Sequence, residues 1–301
     1  MLIFVYNDNM NIENQSKRSD LHTLKWFKID VETDYDGKLP FFTGSMLRGV
    51  VGHALKNITC INPSYKCEGC FAAKECLYHQ FYEEKNTFHD YRFGITLQPK
   101  ELFFSLYLFE NAVASLPYIL SAIKNALEEV GLGKERKLVK LRRISIGGRT
   151  IYDGKEFLSF EGIEASELEI DTLHRDVRLH LNMPLRIKEN NQFAREGVAL
   201  HTLIGNIRSR YIQLKGEKPS RMGYRVHGEI TRSTLKFVEM QRYSNRQHKG
   251  MNIGGLKGDM EITGLDKQSY VYLKIGEIIG AGKQTVFGLG DYTLIPKEEV
   301  R

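Results

Sequence analysis

Two successive runs of strand, helix, two strands, helix and strand, with four cysteines gathered behind the first helix, predict an α+β fold. The expected architecture is a tandem of ferredoxin-like (RRM-like, βαββαβ) domains with a metal-knuckle insert. A chain of 301 residues has room for about two domains. Its 42% hydrophobic and 11% aromatic content is enough to build two cores.

Residues 1–20 read as a weakly ordered lead-in, without the basic flank and small-residue cleavage site of a signal peptide. The first domain is expected over 21–170. Its opening strand is read from the alternation in 22–33, and Gly37 and Pro40 close that strand with a loop. Thr43 or Ser45 is placed to cap a helix running to about Asn57, with Met46, Leu47, Val50, Val51, Ala54 and Leu55 on one face. The cysteine insert spans 59–78. Strands follow at about 88–97 and 101–109, then an amphipathic helix at 115–130 that ends at Gly131. Short strands with turns at Gly147-Gly148 and Asp153-Gly154 complete this domain over 138–160.

The second domain is expected over 171–301. Residues 176–187 are strand-like, and 194–214 carry Leu200, Leu203, Ile204, Ile207, Tyr211 and Leu214 at helical spacing. Strands are predicted at 224–240 and 254–263, a helix at 267–279 and a last strand at 291–295. No apolar run is long enough to span a membrane, so a cytoplasmic protein is the expectation.

Charge points to a polyanion. Residues 1–170 hold 21 Lys and Arg against 23 Asp and Glu, whereas 171–301 hold 22 against 14. Between Arg208 and Lys249 there are eleven basic and three acidic residues. Candidate phosphate contacts there are Arg208, Arg221, Arg225, Arg242, Arg246 and Lys249, with Arg142 and Arg143 in a second basic cluster over 134–149. An ordinary solvated surface is the competing explanation.

The glycine-rich run from Gly280 to Gly290 lies between the last helix and the last strand. It is not a P-loop, because Gly282-Lys283 is followed by Gln284 and Glu277 stands where the earlier glycine belongs. Glycines at Gly282, Gly288 and Gly290 allow positive φ and exposed N–H groups, and Lys283 and Gln284 add donors suited to a phosphate backbone. A glycine-loosened turn is the plainer alternative.

Cys60, Cys67, Cys70 and Cys76 follow a C-x6-C-x2-C-x5-C spacing, which suits one tetrahedral ion. Structural zinc is expected, an iron–sulfur cluster being the other metal reading. Four thiolate ligands leave no open position, so no catalytic metal is expected. His79 stands three residues past Cys76 as a substitute ligand.

RNA can be cut without metal when a base takes the 2′-OH proton, an acid protonates the 5′-oxygen and a cation steadies the phosphate. Of nine histidines, His53 is the leading candidate, on the first helix beside Gly49 and Gly52. Lys56 lies one turn on, and Arg48 and Tyr35 are further donors. A plain surface or core histidine is the alternative, and His201, His227 and His248 are competitors.

Three stretches are similar to one family: Phe42–Leu55 with Leu47-Arg48-Gly49 and Gly52-His53, the cysteines ending in Cys76-Leu77-Tyr78, and Gly282 through Gly290. They resemble the CRISPR repeat-processing endoribonucleases of the RAMP superfamily, in the branch with a four-cysteine cluster after the first helix. The resemblance runs from about 22 to 295. It implies two ferredoxin-like domains, binding of CRISPR repeat RNA and metal-independent cutting within each repeat. The implied products are a 2′,3′-cyclic phosphate and a 5′-OH. It also makes His53 the matching catalytic candidate, with Lys56 a weaker match, and turns Lys283 and Gln284 toward RNA. A monomer or homodimer is expected, with CRISPR effector-complex subunits as further partners. A non-catalytic RNA-binding RAMP backbone subunit of such a complex is the alternative.

Overall fold

The structure, a computed structural model, describes residues 23–85, 87–170, 172–244 and 249–297. The lead-in at 1–20, Arg246 and His248 therefore lie outside the described residues. Both domains are ferredoxin-like.

In the first domain β1 (Lys25–Asp34), α1 (Gly44–Thr59), β2 (Tyr91–Gly94), β3 (Phe103–Phe109), α2 (Leu116–Asn125) and β4 (Lys140–Ile146) follow the βαββαβ order. The sheet runs β2-β3-β1-β4, extended by β5 (Arg149–Tyr152), while β6 (Ser166–Glu167) pairs with the start of β1. All of these pairings are antiparallel. β1 alternates, turning Phe27, Ile29 and Val31 inward. Leu47, Val51, Ala54 and Leu55 of α1 meet that face, each large apolar side chain among them worth about 1.5–3 kcal/mol of burial. Thr43 precedes α1 without a side-chain cap; its carbonyl accepts the Leu47 N–H at 3.0 Å. After Asn125 the predicted helix continues as a π turn, Ala126–Val130, which stops at Gly131 with φ of 78°.

The second domain repeats the plan with β7 (Val177–Leu181), then the small hairpin β8 (Lys188–Glu189) and β9 (Gln192–Phe193), α3 (Leu200–Leu214) and β10 (Glu229–Ser233). Next come β11 (Lys236–Val238), β12 (Gln241–Ser244), β13 (Lys249–Asn252), β14 (Gly255–Lys257), β15 (Asp259–Thr263), α4 (Lys267–Ile279) and β16 (Tyr292–Pro296). Its main sheet is β10-β15-β7-β16.

Two expectations change here. α3 starts at Leu200 rather than 194, because Gln192 and Phe193 pair with Lys188 and Glu189. The single strand expected over 224–240 is divided. β10 stays in the main sheet, whereas β11 pairs with β14 and the β12–β13 hairpin extends beyond them. α4 is capped by Asp266, whose carboxylate accepts the Ser269 N–H at 2.8 Å.

A candidate nucleic-acid interface between the two domains

A cleft of about 1040 Å³ opens between the domains. Its floor is the outer face of α1, where Ser45, Arg48, Gly49, Gly52, His53 and Lys56 recur at helical spacing. His53 is exposed, and a Cβ added at Gly49 would meet no atom within 4 Å, so the helix surface beside the histidine is open. Gly52 is different: a methyl there would lie 2.4 Å from the Tyr82 ring.

Three other segments supply walls. A tight loop after α2 is closed by paired backbone hydrogen bonds between Leu132 and Lys137 (2.8 and 2.9 Å), and it offers Lys134 and Arg136. The cysteine insert contributes Tyr65 and Tyr78, whose rings lie 4.8 and 5.0 Å from the Lys56 ammonium. The second domain adds Gln241, Arg242 and Phe287.

Arg48 ties these walls together. Its Nε donates to the Tyr91 hydroxyl at 2.9 Å, and its guanidinium packs on the Tyr82 and Phe287 rings at 4.6 and 5.0 Å. Arg242 packs on the same Phe287 ring at 4.5 Å. Burial, and then the charge of Arg48, lowers the Arg242 pKa from its ordinary value. Burial pushes the Tyr91 phenol up, against the pull of Arg48. Among the described residues the cleft wall thus holds five cations, Arg48, Lys56, Lys134, Arg136 and Arg242, against the single carboxylate of Glu83. Such a groove suits an extended polyanion, and its aromatic rings suit stacked bases.

The sequence-derived candidates divide. His53, Lys56, Arg48 and Arg242 come together here. Tyr35 does not line the cleft; it packs against the first core, with its ring over Gly37 and 5.8 Å from the Lys137 ammonium. Arg142 and Arg143 pair instead with Asp34 (3.4 Å) and Glu32 (2.5 Å) on β1, so their charge is offset locally. Arg208 donates to the Ser220 carbonyl at 2.8 Å and fixes the turn after α3. Arg221 and Arg225 are exposed on the segment beyond that turn, away from the cleft lining. Lys249 lies in β13, and its side chain is outside those described. His201 lines a separate cavity with Glu196 and Glu229, and the His227 N–H donates to Ser269.

The glycine run also departs from its expected role. Gly282, Gly288 and Gly290 are buried at φ of 79°, 90° and 72°. Their N–H groups point inward, Gly282 to the Asn206 side chain (2.6 Å), Gly288 to Thr285 (2.8 Å) and Gly290 to Pro184 (3.0 Å). The Lys283 N–H likewise donates to Arg186 at 2.7 Å. These amides are therefore engaged within the fold rather than presented as a cradle. Glycine is needed because backbone approaches backbone: a Cβ at Gly290 would stand 1.8 Å from the Ala281 carbonyl. Lys283 remains exposed, whereas Gln284 is half-buried, with its Oε1 lacking a partner among the described residues.

The loop's work is to join the domains. A Cβ at Gly44, the first residue of α1, would lie 1.9 Å from the Phe287 carbonyl, and one at Gly288 would lie 2.6 Å from Ile95. Beside it, Arg92 of β2 donates to the Ile278 and Glu277 carbonyls at 2.6 and 3.2 Å. Arg210 of α3, equally buried, reaches the His89 carbonyl at 3.5 Å. Arg92 and Arg210 are structural residues that sequence reasoning missed, since nothing in their spacing marks them.

Cys60, Cys67, Cys70 and Cys76 line one cavity of about 10 Å³, joined by His79. As placed, no three His, Cys, Asp or Glu side chains among the described residues are grouped closely enough to hold an ion. The donor set still fits a soft divalent ion: four thiols around a space for one particle, and a buried His79 Nδ1 without a hydrogen-bond partner among the described residues.

Two family models match in order, the AF_1859 N-terminal domain over residues 21–165 and the AF_1859 C-terminal domain over 177–294. An uncharacterized protein of Archaeoglobus fulgidus is 25% identical over 286 residues, covering 85% of this chain and 92% of that one. Among solved structures, Thermus thermophilus Cas6 superposes with a TM-score of 0.54 at 12% identity, covering 90% of this chain and 99% of that chain. The chain has the Cas6 fold. A Cas6 product complex gives a TM-score of 0.54 at 11% identity, covering 91% of this chain and 99% of that chain. A Cas6-RT-Cas1–Cas2 complex gives 0.50 at 12% identity, with 92% of this chain matching 29% of that one. The Cas6 fold accounts for the paired βαββαβ units. Among the described residues no helix is long and apolar enough to cross a membrane.

Proposed function

We propose that this chain is an endoribonuclease that binds CRISPR repeat RNA in the interdomain cleft and cuts it without metal. The observation that carries this reading is the convergence of His53, Lys56, Arg48 and Arg242 on one groove of a Cas6 fold. Likeness to a Cas6 product complex supports the substrate class.

In this reading His53 takes the proton from the 2′-OH, whose oxygen attacks the adjacent phosphorus; the P–O5′ bond breaks, the leaving 5′-oxygen takes a proton from water, and His53 returns its proton to solvent. Lys56, one turn along α1, offsets charge on the crowded phosphate, and Arg48 and Arg242 hold the flanking backbone. Open space over Gly49 lets the strand approach the helix. The products are a 2′,3′-cyclic phosphate and a 5′-OH. The cysteine insert holds structural zinc, which fixes the loop carrying Tyr65 and Tyr78 against Lys56.

The test is cleavage of a repeat RNA in EDTA by the wild type and by His53→Ala, with the product ends identified. Cutting by the wild type alone, to a cyclic phosphate, establishes both enzyme and base. Equal cutting by both removes His53 from the chemistry. Binding without cutting by either protein makes the chain a non-catalytic RNA-binding subunit, and a magnesium requirement overturns the mechanism.

A further inference from the structure

We infer that the ion of the cysteine insert is held by Cys67, Cys70, Cys76 and His79 Nδ1, and that Cys60 is a spare thiol. This inference rests on the zinc reading above and assigns its ligands. Five soft donors face a cavity with room for one particle, and zinc takes four. The choice among them follows from how each donor is already engaged.

Cys67 and Cys70 form a chelating turn: the Cys70 N–H donates to the Cys67 carbonyl at 3.2 Å, and Gly69 takes a φ of 68° between them. Cys76 and His79 lie on one helical turn, in which the Gln80 N–H reaches the Cys76 carbonyl at 3.1 Å. A separation of three residues puts both side chains on the same face. Among the described residues His79 Nδ1 is buried in the cavity wall without a partner, which carries a cost unless something binds it. The Cys60 thiol already donates to the Asn62 carbonyl at 3.8 Å, and ligation as a thiolate would forfeit that hydrogen bond. The resulting ligand pattern is C-x2-C-x5-C-x2-H.

Cobalt(II) provides the probe, because its thiolate charge-transfer absorption counts sulfur ligands and its visible bands report tetrahedral geometry. Full-length wild type, Cys60→Ser, Cys67→Ser and His79→Ala are loaded with one equivalent of cobalt(II), which is then displaced with zinc. The expected result is an unchanged spectrum for Cys60→Ser and loss of about one third of the charge-transfer intensity for Cys67→Ser. His79→Ala should keep the charge-transfer intensity, shift the visible bands and bind at least tenfold more weakly. Equal losses in Cys60→Ser and Cys67→Ser, with His79→Ala unchanged, overturn the assignment and leave a four-cysteine zinc site. Wild type that takes up neither ion, or that is purified with an iron–sulfur chromophore, overturns the zinc reading itself. Circular dichroism of each variant without metal separates lost ligation from lost folding.

Discussion

The Arg92 guanidinium, on the edge strand of the first domain, lies 2.8 Å from the carboxylate of Asp291, just before the last strand of the second. It is only 1% exposed, and its other nitrogens serve the Ile278 and Glu277 carbonyls while its plane stacks 3.9 Å from the Tyr107 ring. Replacing it with Leu removes the donor to two carbonyls and the charge partner of Asp291, whose carboxylate keeps only its Asn182 hydrogen bond among the described residues, so a loss of about 3–5 kcal/mol is expected. Arg92→Lys should rescue little, because an ammonium cannot reproduce the forked donors or the stacking. Denaturant melts of both variants check this, and a lysine variant as stable as wild type would contradict it.

Two glycines on α1 should respond in opposite ways. Gly44→Ala drives a methyl into the Phe287 carbonyl and should cost about 1–3 kcal/mol. Gly49→Ala meets open space and removes a helix-weakening glycine, so stability should rise by up to about 1 kcal/mol. The same methyl narrows the floor of the cleft, so RNA affinity should fall while the melting temperature rises. Thermal melts paired with RNA titrations read both.

Arg242 and Phe287 should separate charge from stacking. Arg242→Ala is expected to weaken RNA binding across sequences and to reduce the slope of log affinity against log salt by about 1. Phe287→Ala should weaken binding while leaving that slope nearly intact, because it removes a ring shared by Arg48 and Arg242 rather than a cation. Filter binding across a salt series distinguishes them; an unchanged slope in Arg242→Ala would place the phosphates elsewhere.

His89 and Asp90 should oppose each other as pH falls. Burial, helped by the Arg48 charge, pushes His89 down to about 4, so its contribution to stability is present above pH 6.5 and is lost as pH falls toward 4. Burial pushes Asp90 up to about 6, so its contribution is full below about 4 and is lost as pH rises through 6. The two trends offset over this window in the wild type. Asp90→Asn should therefore expose a loss of stability on acidification, and His89→Gln a gain. Melting temperatures between pH 4 and 7 decide it, and parallel curves for the two variants would refute the opposition.

The paired βαββαβ plan was legible because the apolar periods of β1, α1, α2 and α4 reflect burial on one face, which a sequence records directly. Leu47, Val51 and Leu55 were placed correctly for that reason. The small hairpins around Lys188–Phe193 and Lys236–Lys257 were not, since short polar strands carry little periodicity. His53, Lys56 and Arg48 could be grouped because one helix presents them. Arg142 and Arg143 misled because a basic cluster does not reveal the carboxylates on the neighbouring strand. Arg92 and Arg210 were invisible, because their carbonyl partners come from the other domain. The glycine run was ambiguous in principle: a phosphate cradle and a backbone crossing both require positive φ, and only the destination of each N–H tells them apart.

The contact of Gly44 with the Phe287 carbonyl leaves no slack between the helix that carries His53 and the loop that carries one wall of the groove. That contact fixes the spacing of helix and loop, and so the width of the groove, in this structure. If the groove takes RNA as proposed, a flexible strand is expected to conform to it more readily than a stiff duplex. On that reading, bendability would sort polymers before any base is read.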